Sequence, residues 1–134
     1  MSSKLLIVDD DELLNNSLNA VLTRSGYDVL SVIKAEDAFQ QIIEFQPDIV
    51  LLDLYLGSMT GLDILQKLRD EKNETPVILI TAFSDVNSAV RAIKLGAEDF
   101  VLKPLDLEQL EILINKTLNR KNLERRYELL KDEL

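Results

Sequence analysis

Three short apolar runs in this chain of 134 residues end in groups able to do chemistry. Leu5-Leu6-Ile7-Val8 leads into Asp9-Asp10-Asp11, Ile49-Val50-Leu51-Leu52 into Asp53, and Val77-Ile78-Leu79-Ile80 into Thr81. A weaker run, Asp99 to Leu102, is followed by Lys103-Pro104. An ionised carboxylate placed after four core residues costs several kcal/mol unless it is paired or binds a metal, so Asp53 needs a partner. Carboxylates a few ångströms apart cannot all stay ionised at ordinary pKa values without a cation among them. Magnesium suits such a place, because it prefers oxygen ligands and is held by one or two carboxylates together with phosphate oxygens. A lysine opposite would neutralise a phosphoryl group, and a hydroxyl would hydrogen-bond one of its oxygens. Carboxylate is also a covalent nucleophile toward phosphorus, and Asp53 is the best-placed candidate. Taken singly, each group has a plain explanation: Asp11 as a helix cap, Lys103 as the structural ion-pair partner of Asp53, Thr81 as an ordinary strand-end hydroxyl. Together those explanations leave unsaid why three strands deliver polar groups to one edge.

The elements that must position these groups are legible from the changing period of the apolar pattern. Short continuous apolar runs mark strands buried on both faces of a parallel sheet, with Tyr27 to Ile33 and Asp99 to Leu102 as weaker members. Between them lie helical spacings: Leu14, Leu18, Val21, Leu22; Ala38, Phe39, Ile42, Ile43; Leu62, Leu65, Leu68; Val86, Ala89, Val90, Ile93; and Leu107, Leu110, Leu113, Ile114. Gly26 and Gly96 fall just past helix ends, and Pro47 and Pro76 precede strands. Five strands alternating with five helices predict an α/β, doubly wound parallel sheet with right-handed crossovers. In such sheets ligands bind outside the carboxyl ends of the strands, which is where the acids, the hydroxyl and the lysine converge.

Composition narrows the chemistry. Apolar residues are 46% and charged residues 29% of the chain, ordinary values for one globular domain. The absence of Cys and His removes disulfides, thiolate metal sites, cysteine nucleophiles and the commonest general base. The net charge is −9, and up to Leu118 ten basic residues face twenty acidic ones. An acidic body argues against direct contact of this segment with nucleic acid or anionic lipid. No signal peptide and no run near the roughly 20 apolar residues of a membrane helix is visible, so a cytoplasmic location is expected.

From about Lys4 to Leu118 the chain resembles the receiver domains of two-component response regulators. The motifs are Leu6-Ile7-Val8-Asp9-Asp10-Asp11, Leu51-Leu52-Asp53-Leu54 with Gly61 eight residues on, Ile80-Thr81-Ala82, and Asp99-Phe100-Val101-Leu102-Lys103-Pro104. The resemblance implies a flavodoxin-like sheet of order 2-1-3-4-5, with residues 1–118 as the receiver. It implies Asp53 as phosphoacceptor, Asp10 and Asp53 as direct Mg²⁺ ligands, Asp9 as an indirect one, and the Tyr55 carbonyl completing the metal site. Thr81 and Lys103 would bind the phosphoryl group, Phe100 would turn inward as Thr81 moves, and Lys103-Pro104 would be cis. The implied donor is a phosphohistidine on a separate sensor histidine kinase, in keeping with a chain that has no His. The implied role is a switch for an output domain or downstream protein that catalyses only its own phosphotransfer and autodephosphorylation. One departure stands out: Gly57, followed by Ser58, occupies the place four residues after the phosphoacceptor where the family usually has Pro, so a more mobile loop is expected.

The alternative from another class is a Mg²⁺-dependent phosphohydrolase with an aspartyl nucleophile. Such enzymes usually carry a second acid two residues after the nucleophile; here that residue is Tyr55, and the chain leaves little room for a substrate cap. A flavin or nucleotide binder on the same fold would need a Gly-rich loop where this chain has three acids. Tyr55 and Phe83, both aromatic beside the expected attack path, predict slow loss of a phosphoryl group from Asp53.

Residues 119–134 read as a helical linker or coiled-coil extension. They contain no Gly or Pro, and Leu123, Tyr127, Leu130 and Leu134 follow at spacings of 4, 3 and 4, an a/d seam two heptads long. A homodimer through the fifth helix and this tail is the expectation. With Leu123 at d, Arg126 and Lys131 would face each other as like charges in a parallel pair, which leaves an antiparallel or symmetric contact open. A receiver followed by a helical linker also resembles the amino-terminal part of transcriptional activators with ATPase and DNA-binding modules. Neither an ATP-binding Gly-rich loop nor a basic recognition helix occurs in these residues.

Overall fold

The computed structural model describes residues 2–133, apart from the side chain of Glu133; Leu134, the last member of the predicted seam, lies outside the described residues. In chain order the elements are β1 (Lys4–Val8), α1 (Glu12–Arg24), β2 (Asp28–Val32), α2 (Ala35–Phe45), β3 (Ile49–Asp53), α3 (Gly61–Asp70), β4 (Val77–Thr81), α4 (Val86–Lys94), β5 (Asp99–Leu102) and α5 (Leu107–Glu133). A single 3₁₀ turn, Phe83–Asp85, precedes α4. All pairings are parallel and the sheet order is β2-β1-β3-β4-β5, the doubly wound order that the motifs imply.

The continuous apolar runs are strands with both faces covered. β3 and β4 are buried at every residue. Alternate side chains feed two cores: Leu6, Val8, Val50, Leu52, Val77 and Leu79 pack with α2, α3 and α4, whereas Leu5, Ile7, Ile49, Leu51, Ile78 and Ile80 pack with α1 and α5. Fully burying one Leu or Ile contributes about 1.5–3 kcal/mol. Sliding a central strand by one residue would exchange its two sets of side chains between these cores, so the pairing register, and with it the placement of every strand-end group, is strongly specified.

Local signals set the helix starts at the chemical edge. Asp11 caps α1 by accepting from the Leu14 N–H at 3.2 Å. Thr60 and Asp63 form a reciprocal capping box at α3: Asp63 N–H donates to Thr60 Oγ1 at 3.3 Å and Thr60 N–H to Asp63 Oδ2 at 3.0 Å. Lys103-Pro104 is cis, as the resemblance implied.

The helix that the spacing of Val86, Ala89, Val90 and Ile93 predicts forms as α4, but of these residues it buries only Ala89, seats Ala92 beside it, and leaves Val90 45% and Ile93 38% exposed. The side chains that α4 seats in the core are thus the two small alanines, and its larger apolar residues turn outward.

α5 is one unbroken helix of 27 residues, about 40 Å long at 1.5 Å per residue. It buries Leu110, Ile114 and Thr117 against the body; Lys121 is its last half-buried residue, and from Asn122 to Asp132 every residue is exposed. Arg120 pairs with Glu98 at 2.6 Å, and Arg125 reaches Asp48 at 4.0 Å, so the helix is tied to the body on two sides where it leaves it.

Candidate functional site

At the carboxyl edge of the central strands the expected groups do meet. One carboxylate oxygen each from Asp9, Asp10 and Asp53 lie within 4.8 Å of one another. Asp53 ends β3 and is 6% exposed, Asp9 follows β1 at 2%, and Asp10 stands exposed at the rim. From β5, Lys103 Nζ donates to Asp53 Oδ2 at 2.9 Å and lies 3.8 Å from Asp9 Oδ2. The remaining carboxylate oxygens have backbone donors: Asp9 Oδ1 accepts from the Asp11 N–H at 2.9 Å and Asp53 Oδ1 from the Tyr55 N–H at 3.2 Å. Lys103 is therefore both the ion-pair partner expected on structural grounds and a cation poised at the acid cluster.

Burial sets the electrostatics. It pushes the Asp9 carboxyl up to about 6, with the nearby Asp53 charge adding to the rise and the Asp11 N–H and Lys103 opposing it. Burial alone would lower Lys103; its hydrogen bond to Asp53 and the charges of Asp53, Asp9 and Asp11 outweigh that, and its pKa is raised. A cluster made only of oxygen donors, with one acid already driven toward its protonated form, fits a hard divalent cation such as Mg²⁺.

Thr81 and Phe100 stand on the two neighbouring strands, β4 and β5. Thr81 closes β4 next to β3, is 1% exposed, and its hydroxyl donates to the carbonyl of its own neighbour Ala82 at 3.3 Å, a long bond that is readily exchanged. Phe100 pairs in register with Leu79, lies half-buried and packs on the α2–α3–α4 core. Thr81 and Phe100 thus sit on adjacent strands beside the helix that is seated only on alanines.

The loop after β3 holds Asp53 in place. Leu54 and Leu56 anchor it in the core, the Leu56 N–H donates to the Met59 carbonyl at 3.2 Å, and the Gly61 N–H to the Leu54 carbonyl at 2.7 Å. A Cβ on Gly61 would lie 2.5 Å from the Asp53 carbonyl oxygen, so this approach admits only glycine. Gly57 sits at φ +74°, a value proline cannot take, and a Cβ there would meet Asp10 Oδ2 at 3.6 Å. The departure from Pro is thus matched by a backbone conformation in which the residue lies against the acid cluster.

Two contributors escaped the sequence reading. Asn15 on α1 is fully buried, and its Nδ2 donates to the carbonyls of Asp9 and Val32, both at 3.0 Å, tying together the ends of β1 and β2 beneath the acids. A polar residue between Leu14 and Leu18 on the inward stripe was the available signal. The second is Asp85, whose nearby carboxylate pushes the Tyr55 phenol pKa up. Tyr55 and Phe83 were expected beside the attack path; they are 56% and 79% exposed, so neither ring packs into the body. Asp85 places a carboxylate next to Tyr55 where only aromatic bulk was expected.

Comparison with known proteins agrees with this geometry. The model of the response regulator receiver domain matches residues 5–115. The chain is 31% identical over 92% of its length to the regulatory protein AtoC of Escherichia coli, of which it covers 27%. It is 36% identical over 87% of its length to the two-component response regulator PhoP of Pseudomonas aeruginosa, of which it covers 52%. The crystal structure of NtrX from Brucella abortus superposes on 97% of this chain with a TM-score of 0.89 at 28% identity, and the chain covers 30% of it. The chain thus spans between a quarter and about half of these relatives, and the likeness to NtrX reaches into the extension of α5. No helix among the described residues is long and apolar enough to cross a membrane. With its acid cluster, its Thr81 and its Lys103 at the ends of parallel strands in this order, the chain belongs to the response regulator receiver domains.

Proposed function

We propose that Asp53 accepts a phosphoryl group from a phosphohistidine of a sensor histidine kinase, and that the modification switches the conformation or oligomeric state of the chain. The carrying observation is the convergence of Asp53 with Asp9, Asp10 and Lys103 Nζ, the last at 2.9 Å. An Asp53 oxygen attacks phosphorus in line, the new O–P bond forms as the P–N bond breaks, and the electron pair leaves with the imidazole nitrogen of the donor. Asp10, Asp53 and the Tyr55 carbonyl would hold Mg²⁺, with Asp9 acting at one remove, and the ion would supply charge to neutralise the phosphoryl oxygens. Lys103 leaves the carboxylate for a phosphoryl oxygen, and the Thr81 hydroxyl exchanges its long bond to Ala82 for another. Phe100 then turns inward, which loosens or reseats α4. Intact mass after treatment with a small phosphodonor tests the acceptor: the wild type gains one phosphate and Asp53→Asn gains none. Added phosphate on the variant refutes the assignment.

Residues 1–118 act as the receiver and residues 119–134 as a helical linker to an output domain or partner. Leu123, Tyr127 and Leu130 are 63%, 66% and 62% exposed along one side of the tail, a seam that suits homodimerisation. The phosphoryl group is lost slowly, because the exposed aromatic rings of Tyr55 and Phe83 would crowd the approach of water. Two further relatives, named as a probable transcriptional regulator of Porphyridium aerugineum and a transcriptional regulatory protein of Bacillus subtilis, support an output in transcription.

A further inference from the structure

We infer that the tail pairs antiparallel with the tail of a second copy, in a register that places Tyr127 of each chain opposite Leu130 of the other; this rests on the dimer reading above. Taking Leu123 as d puts Tyr127 at a, Leu130 at d, Glu124 and Lys131 at e, and Arg126 at g. The body does not compete for this face. α5 packs on the domain through Leu110, Ile114, Thr117 and Lys121, which fall at e, b, e and b, about a quarter turn away from the a/d seam. Arg120, the next a position toward the body, is drawn to Glu98 at 2.6 Å and more loosely to Glu124 at 3.6 Å on its own chain, so the open seam starts at Leu123.

Charge selects the direction. In a parallel pair, g of one heptad meets e of the next, which sets Arg126 against Lys131 twice per dimer. In the antiparallel register e meets e, and Glu124 faces Lys131 of the other copy twice, exchanging two repulsive contacts for two attractive ones. The bodies weigh in the same sense. Each carries ten basic against twenty acidic residues up to Leu118, and a parallel pair would hold these two acidic bodies side by side. Antiparallel pairing about the midpoint of residues 128 and 129 separates the two points where α5 leaves the body, at Lys121, by about 22 Å along the axis. Leu129, 67% exposed, falls at c and is the apolar residue this pairing leaves in water.

Sedimentation of the 134-residue chain over a concentration range tests both levels of the argument. The parent is expected to dimerise, and Lys131→Glu to weaken the dimer about five-fold or more, since Glu124 then meets an acid. Glu124→Lys combined with Lys131→Glu restores the affinity. An unchanged or tighter dimer in Lys131→Glu overturns the antiparallel register while leaving the dimer standing; a parent that stays monomeric overturns the dimer reading and the register with it. The chain has no cysteine, so a nitroxide on Asn122→Cys reports geometry independently. The antiparallel register predicts a backbone separation of about 20 Å or more between the two labels, and a separation near the 8–10 Å helix spacing refutes it.

Discussion

Replacing Asp9 by asparagine should stabilise the metal-free protein at neutral pH. Asp9 is 2% exposed and its carboxyl rises from 3.8 to about 6, a difference worth about 3 kcal/mol at 1.36 kcal/mol per unit. Because the folded state binds this proton more tightly than the unfolded chain does, the stability it contributes is complete below about pH 4 and is lost as pH rises through 6. At pH 7.5 the wild-type protein therefore carries a buried, incompletely compensated carboxylate. Asp9→Asn removes that burden but weakens the bond from the Asp11 N–H at 2.9 Å and the contact with Lys103 at 3.8 Å. The net gain expected is about 1–2 kcal/mol, or a rise in Tm of about 3–8 °C. The assay is urea and thermal unfolding from pH 5 to 7.5 in chelator, repeated in millimolar Mg²⁺. In chelator the advantage of the variant over wild type should grow as pH rises through 6. Added Mg²⁺ should stabilise the wild type more than the variant, since the cation offsets the crowded charge only where that charge exists. A variant less stable at pH 7.5, with an advantage that does not change with pH, refutes the electrostatic account of Asp9.

Gly61→Ala should cost about 2 kcal/mol or more in urea unfolding and slow phosphorylation of Asp53, because the new methyl would lie 2.5 Å from the Asp53 carbonyl oxygen; a change under about 0.5 kcal/mol contradicts the close approach. Lys103→Ala leaves Asp53 without its 2.9 Å partner and should lower stability by about 1–3 kcal/mol at pH 7.5, with part of the loss recovered toward pH 5 as Asp9, which burial pushes up to about 6, takes up its proton; the same variant should still gain phosphate mass but show no Phe100 shift by NMR. Tyr55→Asn with Phe83→Glu should shorten the lifetime of the acyl phosphate in Mg²⁺, read as phosphate release, and an unchanged or longer lifetime shifts the control of hydrolysis to the loop around Gly57.

The alternation of strands and helices and the acid, hydroxyl and lysine edge were legible along the chain because parallel strands buried on both faces permit only apolar residues until they end, whereas the strand order came only from the family resemblance. Asp53 directly after Leu51-Leu52 and Lys103 after Leu102 are marked by that abrupt change alone, and the cap at Asp11 is set within four residues. What required the folded molecule is what depends on neighbours distant in sequence. Which side of α4 faces inward is decided by packing across the fold, which buries Ala89 and Ala92 and leaves Val90 and Ile93 exposed. Asn15 acquires its role only because β1 and β2 end side by side above it, and Asp85 meets Tyr55 across two loops. The seam of the tail could be read from its spacing, but its freedom from the body could not: that follows from the roll of α5, fixed where Leu110, Ile114 and Thr117 enter the core and Arg120 reaches Glu98. Spacing along a helix states which residues share a face, whereas packing across the sheet decides what that face meets.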